Sequence, residues 1–549
     1  MKPFEDRLTR RGFVVGAAAL GASAAAGPAV AAVGRRAVSG PPLAREGVFR
    51  QSVASGQPAT DAITLWTRVE DLTRTSKLQV EIARDPEFAN VIWRQDVLAE
   101  AERDFTVHHR ATPKGLAPGE PFFYRFYTCA QSSPVGRFRT ALPPDSRDPV
   151  RIGFFSCQNF AAGFYTAHAG LLEEKDLDLV ICLGDYIYEQ TNEKALPERI
   201  DRTGVNKDSD VQTLNEYRDK YRLYHTDPNL LALRQSHPLL VIWDDHETEN
   251  DAGAQESPNP GQRNIPTGRR LPFLERREQG YQAFFEHHPR IREVDDRNRI
   301  YGSVPLGANA EVLLLDERQY RDPQPCGGKV PAQPDCTSAE KNAPGRKFLG
   351  DGQKEWLKGA LKRSRATWKV VGNGLMIMAL DVPARYAVNP DQWDGYGAER
   401  RELLEFIARE NIKDVTFVTG DIHTFFAGDV TPSGREGTPV TDGVAVATEF
   451  VGGSITSKGL ADDAERAGIG GEALTDGAIR ANNPHITYAN LVRKGYGILE
   501  ARPDELLVSF RGPRTTQAKQ SPVDTLATFR VAKGEPRVQR TDLPTSAPA

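Results

Sequence analysis

Five apolar runs in this 549-residue chain end in side chains that can bind a cation or move a proton. "RIGFFSCQNF" ends in Ser156, Cys157 and Asn159, and "LVICLGDYIY" ends in Asp185 and Tyr188. "LLVIWDDHETEN" carries Asp244, Asp245, His246, Glu247 and Asn250. "WKVVGNGLMI" carries Gly372 and Asn373, and "VTFVTGDIHTFF" carries Asp421 and His423. A polar turn after a buried strand explains any one of these. Repeated five times, the pattern fits a single crevice at the carboxyl ends of sheet strands, where α/β folds gather their ligands.

Two chemistries compete for this set. Cys157 could attack as a nucleophile with His423 or His246 as its base, but neighbouring carboxylates raise a thiol's pKa and work against it. Metal binding uses every group, because cations neutralise crowded carboxylates. Carboxylate, carbonyl and amide oxygens suit Ca²⁺, Mg²⁺ or Mn²⁺, whereas thiolate and imidazole suit a transition metal, so two different metals are expected. Two ions about 3.5–4 Å apart would clamp the attacking and leaving oxygens of a phosphoryl transfer.

The elements that must position these groups alternate short apolar runs with amphipathic segments from residue 150 on, the grammar of a layered α/β domain. Helices are expected over 161–174, 213–224, 351–364 and 399–410, the last with Leu403, Leu404 and Ile407 on one stripe. Residues 47–143 read instead as short strands, with alternation such as Leu78, Val80 and Ile82, and predict a small all-β sandwich. The Pro/Asp-rich stretch 143–149 separates the two. The remaining expectations are a linker over 33–46, a catalytic domain over 150–530 and a flexible tail over 531–549. The Gly/Pro-rich stretch 252–270 reads as a loop over the crevice.

Residues 1–32 are a different material: Arg10 and Arg11 precede an uncharged Ala/Gly-rich stretch ending in "PAVAA". These residues read as a cleavable twin-arginine leader, an address read by the export machinery, in preference to an uncleaved membrane helix. The expected location is therefore periplasmic or extracellular, with no transmembrane anchor after cleavage. A formal charge of −4 gives no reason to expect nucleic-acid binding. Cys326 and Cys336 bracket a Gly/Pro-rich loop whose closure by a disulfide would add roughly 3 kcal/mol. His108, His109, His287 and His288 lack any ligand context and read as surface residues, and the glycines at 452–453 are not followed by the Lys-Ser/Thr of a P-loop.

The ordered motifs "SCQNF", "LGDYIYE", "WDDHETEN", "VTGDIH", "EFVGGSITS" and "NNPHITYAN" resemble the PhoD family of alkaline phosphatases and phosphodiesterases. The opening Asp-x-His motif and the Gly-Asn-His motif of the wider metallophosphoesterases are not here; Cys157 and the Asp-Asp-His-Glu stretch stand in their places. The resemblance implies a metallophosphoesterase-like β-sandwich flanked by helices behind the all-β N-terminal domain. It implies Fe³⁺ held by Cys157, Asp185, Tyr188 and His423, with Asp185 bridging to a Ca²⁺ also held by Asn250 and Asp421. A second calcium would lie near the substrate phosphate. Asp245 or His246 is the candidate for supporting a metal ligand or contacting the phosphate, and Asp244 for a structural role; Arg218 or Arg222, on the helix before that strand, either grips a phosphate oxygen or belongs to a solvated helix face. His485 would orient ligands or sit satisfied in the core. The implied activity is hydrolysis of small phosphate monoesters or diesters by a metal-activated water or oxide. A phospholipase D-type action on phospholipid is the alternative, and a non-catalytic metal-binding cell-surface protein is the rival of another class.

Overall fold

The computed structural model describes residues 41–191, 196–258, 264–328, 338–380, 389–432, 444–462 and 475–542. The expected leader lies outside this set.

Two seven-stranded sheets make the body of the molecule. In the first, Leu239–Ile242, Leu179–Leu183 and Val150–Phe155 run parallel side by side; Tyr496–Ala501, Glu505–Pro513, Val523–Ala532 and Gln539–Arg540 extend it antiparallel. In the second, Ala310–Leu314, Trp368–Asn373, Val415–Thr419 and Ala447–Gly452 are parallel, Gly302–Leu306 and Phe425–Val430 run antiparallel to them, and Ile486–Asn490 pairs antiparallel with Phe425–Val430.

Strand alternation decides what each face of the second sheet meets. Val312, Val370, Val418, Phe425 and Phe450 join the core shared with Phe154, Phe510 and Phe529 of the first sheet. Leu313, Val371, Phe417, Phe426 and Val451 point the other way, onto Leu357, Leu361, Leu403, Leu404 and Ile407. Those last side chains belong to helices Gly350–Arg363 and Gly397–Arg409. Phe425 and Phe510 meet across the sandwich with ring centroids 4.9 Å apart. The result is an α/β sandwich covered by helices.

Helix Leu214–Tyr224 starts at the Thr213/Glu216 capping box. The helix expected from 161 begins only at Thr166: the Asn159 side chain caps a short 3₁₀ turn at Phe160–Ala162, and extended Gly163 ends it. Residues 53–139 form a three-stranded and a four-stranded antiparallel sheet around Leu65, Leu78, Val80, Ile82, Phe122 and Phe126. Among the described residues, no helix is long and apolar enough to cross a membrane.

Three expectations are corrected. The chain is still ordered sheet past residue 531, because Val523–Ala532 pairs with Gln539–Arg540. Residues 41–46 are docked, with Ala44 buried and the Pro42 carbonyl accepting from Lys77 N. His287 and His288 are fully buried, and His108 and His109 are half-buried. His287 stacks on Tyr221 at 4.9 Å, and His108 Nε2 donates to the His288 carbonyl at 3.0 Å. Their burial comes from packing against elements distant in sequence, which residue type alone does not report. Cys326 is disulfide-bonded; Cys336 lies outside the described residues, and Cys129, Cys157 and Cys182 are free. Residues 252–258 and 264–270 contain no helix or strand, and 259–263 are not described.

His168 makes one consequence of burial measurable. Fully buried against Phe155 and hydrogen-bonded to Gln158, it is held down to a pKa of about 3 by burial, with Arg199 pushing the same way. The unfolded imidazole takes its proton near 6.5, so this contribution to stability is whole above that pH and is lost as pH falls toward 3. The urea midpoint should drop between pH 7 and pH 5, and drop less in His168→Gln. An equal slope in the two proteins contradicts this.

Candidate metal centre

The parallel strands of the two sheets end at one edge. Val150–Phe155 delivers Cys157, Leu179–Leu183 delivers Asp185 and Tyr188, and Leu239–Ile242 delivers 244–250. From the other sheet, Val415–Thr419 delivers Asp421 and His423. The backbone there is unusual. Cys157, Asp185, Asp421 and His423 have φ of 58°, 53°, 59° and 55°. Side chains other than glycine enter this left-handed region at a cost of about 1–2 kcal/mol each, and such strain concentrates at functional sites.

Three overlapping groups bring ligand atoms within 4.8 Å of one another: Cys157, Asp185 and His423; Asp185, Asp245 and His246; Asp244, Asp245 and Asp421. Asp185 is the residue common to the first two. Its Oδ2 accepts from the Tyr188 hydroxyl at 2.8 Å and lies 3.8 Å from His423 Nε2. Tyr188 OH is also 3.1 Å from His423 Nε2 and accepts from Ser457 Oγ at 2.7 Å. His423 Nδ1 donates to the Lys458 carbonyl at 2.5 Å, which leaves Nε2 the lone-pair nitrogen facing the cluster. His246 stacks on the Tyr188 ring at 4.1 Å, and its Nδ1 is 2.7 Å from Glu189 Oε2. The Asn250 backbone N–H donates to the other Glu189 oxygen at 2.9 Å.

The electrostatics of these groups are those of a cation site. Burial pushes the Asp185 carboxyl well above the usual range; His246 opposes that, and Asp245, Asp244 and Glu247 add to it. Burial and then Asp185 likewise hold the Cys157 thiol high, which is the wrong environment for a thiolate nucleophile. Asp244 Oδ2 is buried without a hydrogen-bond partner. Thiol, phenol, imidazole and carboxylates packed together at this density match a mixed hard and soft metal site, and the orphaned Asp244 oxygen is consistent with a cation beside it.

Some expected roles move. Arg218 does not serve the crevice: its guanidinium is bound by Glu286 at 2.7 Å through both Nε and Nη2, and by the Glu102 carbonyl at 2.8 Å. Arg222 is bound to Asp104 and Asp219. Both helix arginines thus serve contacts to residues 102–104 and 286, which a reading of the helix alone does not see. Asn373 is used internally, accepting from Trp393 and donating to Leu375 O and Thr419. His485 donates to the Ala379 carbonyl at 2.8 Å.

Arg318 belongs to the site although none of the five strand-end runs includes it. It follows Ala310–Leu314, a further strand end of the same edge, and is 1% exposed. Its guanidinium binds Asp244, Asp391 at 2.9 Å and Asp421 at 3.3 Å, with Asp245 at 3.8 Å. Gln392 also donates to Asp421. "AEVLLLDERQYRD" has the same apolar-to-charged grammar as the other runs and could have flagged it.

Comparison with known proteins adds independent observations. The family model described as "PhoD-like phosphatase" matches residues 152–510, and that described as "PhoD-like phosphatase, N-terminal domain" matches residues 36–142. Alkaline phosphatase D of Bacillus subtilis (strain 168) is 32% identical over 545 residues, spanning 96% of this chain and 88% of the relative. A solved structure of PhoD, 30% identical, superposes with a TM-score of 0.78 over 90% of this chain and 92% of that one. A purple acid phosphatase from yellow lupin (Lupinus luteus) seeds shares the fold at a TM-score of 0.51 and 12% identity, over 86% of this chain and 73% of that one.

Proposed function

This chain belongs to the PhoD-like phosphatase family and is a phosphoric ester hydrolase, and from that premise we propose an exported, metal-dependent hydrolase of phosphate monoesters and diesters. The observation that carries the metal-dependent part is the convergence of Cys157, Asp185, Tyr188, Asp244, Asp245, His246, Asp421 and His423 at one sheet edge.

Cys157, Asp185, Tyr188 and His423 would hold ferric iron, and Asp185, Asn250 and Asp421 would hold calcium. When bound, such ions draw charge from phosphorus and lower the pKa of water. The chain's own groups do the rest. His246 Nδ1 is engaged by Glu189 Oε2 at 2.7 Å, which leaves Nε2 to bind a phosphate oxygen or pass a proton to the departing alkoxide. Asp245 is fixed for this by the Asp251 and His246 amides at 2.6 and 2.9 Å. Arg318 holds Asp244 and Asp421 in place from behind. No side-chain nucleophile is needed. Export would follow from the leader at 1–32.

The test is turnover of a chromogenic phosphomonoester and its bis-ester before and after exhaustive chelation. Both activities should vanish and return with iron plus calcium; turnover that survives chelation contradicts the proposal. Phosphatidylcholine cleaved faster than either ester would establish the phospholipase reading instead. Tyr188→Phe should keep the far-UV circular dichroism and lose the visible band of a phenolate–iron pair, with turnover reduced roughly 10²-fold, the scale of losing one electrostatic stabiliser. A band that persists in Tyr188→Phe removes tyrosine from the ligand set.

A further inference from the structure

Glu247 is fully buried, and its two oxygens accept from backbone amides on two different turns. Oε2 accepts from Asp185 N at 3.1 Å and Asp244 N at 2.8 Å; Oε1 accepts from Tyr186 N at 2.6 Å. The two turns touch. Gly184, at φ +98°, leaves so little room that a Cβ there would lie 2.5 Å from Asp244 Cβ and 2.8 Å from Asp244 N. Buried amides must be satisfied, and three donors converging on one side chain require a group with two acceptor oxygens and no donor, which is a carboxylate. With both oxygens engaged, Glu247 is not itself arranged as a metal ligand.

We propose that Glu247 is a positioning residue that clamps the Asp185–Tyr186 turn to the Asp244–His246 turn at the spacing the metal centre needs. This rests on the metal-dependent reading above. The clamp also accounts for the left-handed backbone of Asp185, since a conformation of that kind persists only where its surroundings over-determine it. Glutamine is isosteric but must turn an NH₂ toward at least one of the three amides. Aspartate keeps the charge and loses one methylene of reach.

The experiment compares wild type, Glu247→Gln and Glu247→Asp as full chains, reading far-UV circular dichroism, bound iron and calcium per chain, and kcat separately from KM. Both variants should fold, bind metal roughly 10–100-fold more weakly, as disturbed supports of metal ligands do, and lose kcat with little change in KM. Metal content and kcat at the wild-type level in Glu247→Gln overturn the proposal. So does loss in Glu247→Gln with full retention in Glu247→Asp, which would mean that only the charge matters. Should neither variant fold, amide exchange in the metal-free wild type decides. Peptides covering 183–188 and 242–248 should exchange at the slow rate of the core strands, and exchange at the free-loop rate overturns the clamp. Wild-type turnover that survives complete metal removal fells the metal-dependent reading itself, and the clamp's catalytic role with it.

Discussion

Asp185→Asn should abolish phosphatase activity, by roughly 10³-fold or more, the upper scale for losing a single charge-stabilising group, and should do so without unfolding the protein. The carboxylate stands between the Cys157/Tyr188/His423 side of the cluster and the Asp245/His246 side, and an amide of the same shape cannot carry its charge to both. The same substitution has a second consequence that misfolding would not produce. In the metal-free protein, Asp185 is a buried acid among Asp244, Asp245 and Glu247, so its ionised form is costly. Replacing it with a neutral amide at pH 8 should leave the metal-free protein at least as stable as metal-free wild type, while removing the stabilisation that added metal gives. Differential scanning calorimetry with and without iron and calcium reads both. A variant that still turns over at the wild-type rate, or still gains stability from metal, removes Asp185 from the centre.

Arg318→Met should have the largest effect on stability. Its guanidinium, 1% exposed, is the cation shared by Asp244, Asp391 and Asp421. Deleting one partner of a buried ion cluster leaves uncompensated charge and costs about 3–5 kcal/mol, whatever the intact cluster was worth. Activity should fall as well, because Asp421 and Asp244 lose the group that fixes them. Arg318→Lys keeps the charge without the planar fork that reaches several carboxylates at once, and should fall between the two. Urea unfolding measures this. A Met variant within about 1 kcal/mol of wild type, the scale of a surface ion pair, would mean that the cluster does not depend on Arg318.

Much of the scaffold is legible because local pattern and tertiary role coincide. Val370, Val371, Phe417 and Val418 alternate faces as strand residues must, and Leu403, Leu404 and Ile407 share the stripe that meets the second sheet. The strand-end residues are legible for the same reason: an apolar run that stops at a carboxylate places it at a sheet edge. The partners of charged side chains are not written locally. Arg218 and Arg318 look alike in sequence, each among acids and tyrosines, yet Glu286 takes one and the Asp244/Asp391/Asp421 group takes the other. That difference is set by which elements the fold brings alongside, as is the burial of His287 and His288 beneath Trp66 and Tyr221. Glu247 sits inside a motif noticed for its ligands, while its contacts are to backbone amides, which leave no trace in residue type.

On the proposed reading, one mixed-metal centre built on Cys157, Asp185, Tyr188 and His423 carries the activity. Iron and calcium should be counted per chain in protein isolated without chelators, alongside its visible spectrum. About one iron with calcium is expected, in a coloured protein whose band disappears with Tyr188→Phe. Active protein that is colourless and free of iron, or that carries only zinc or magnesium, would contradict that reading.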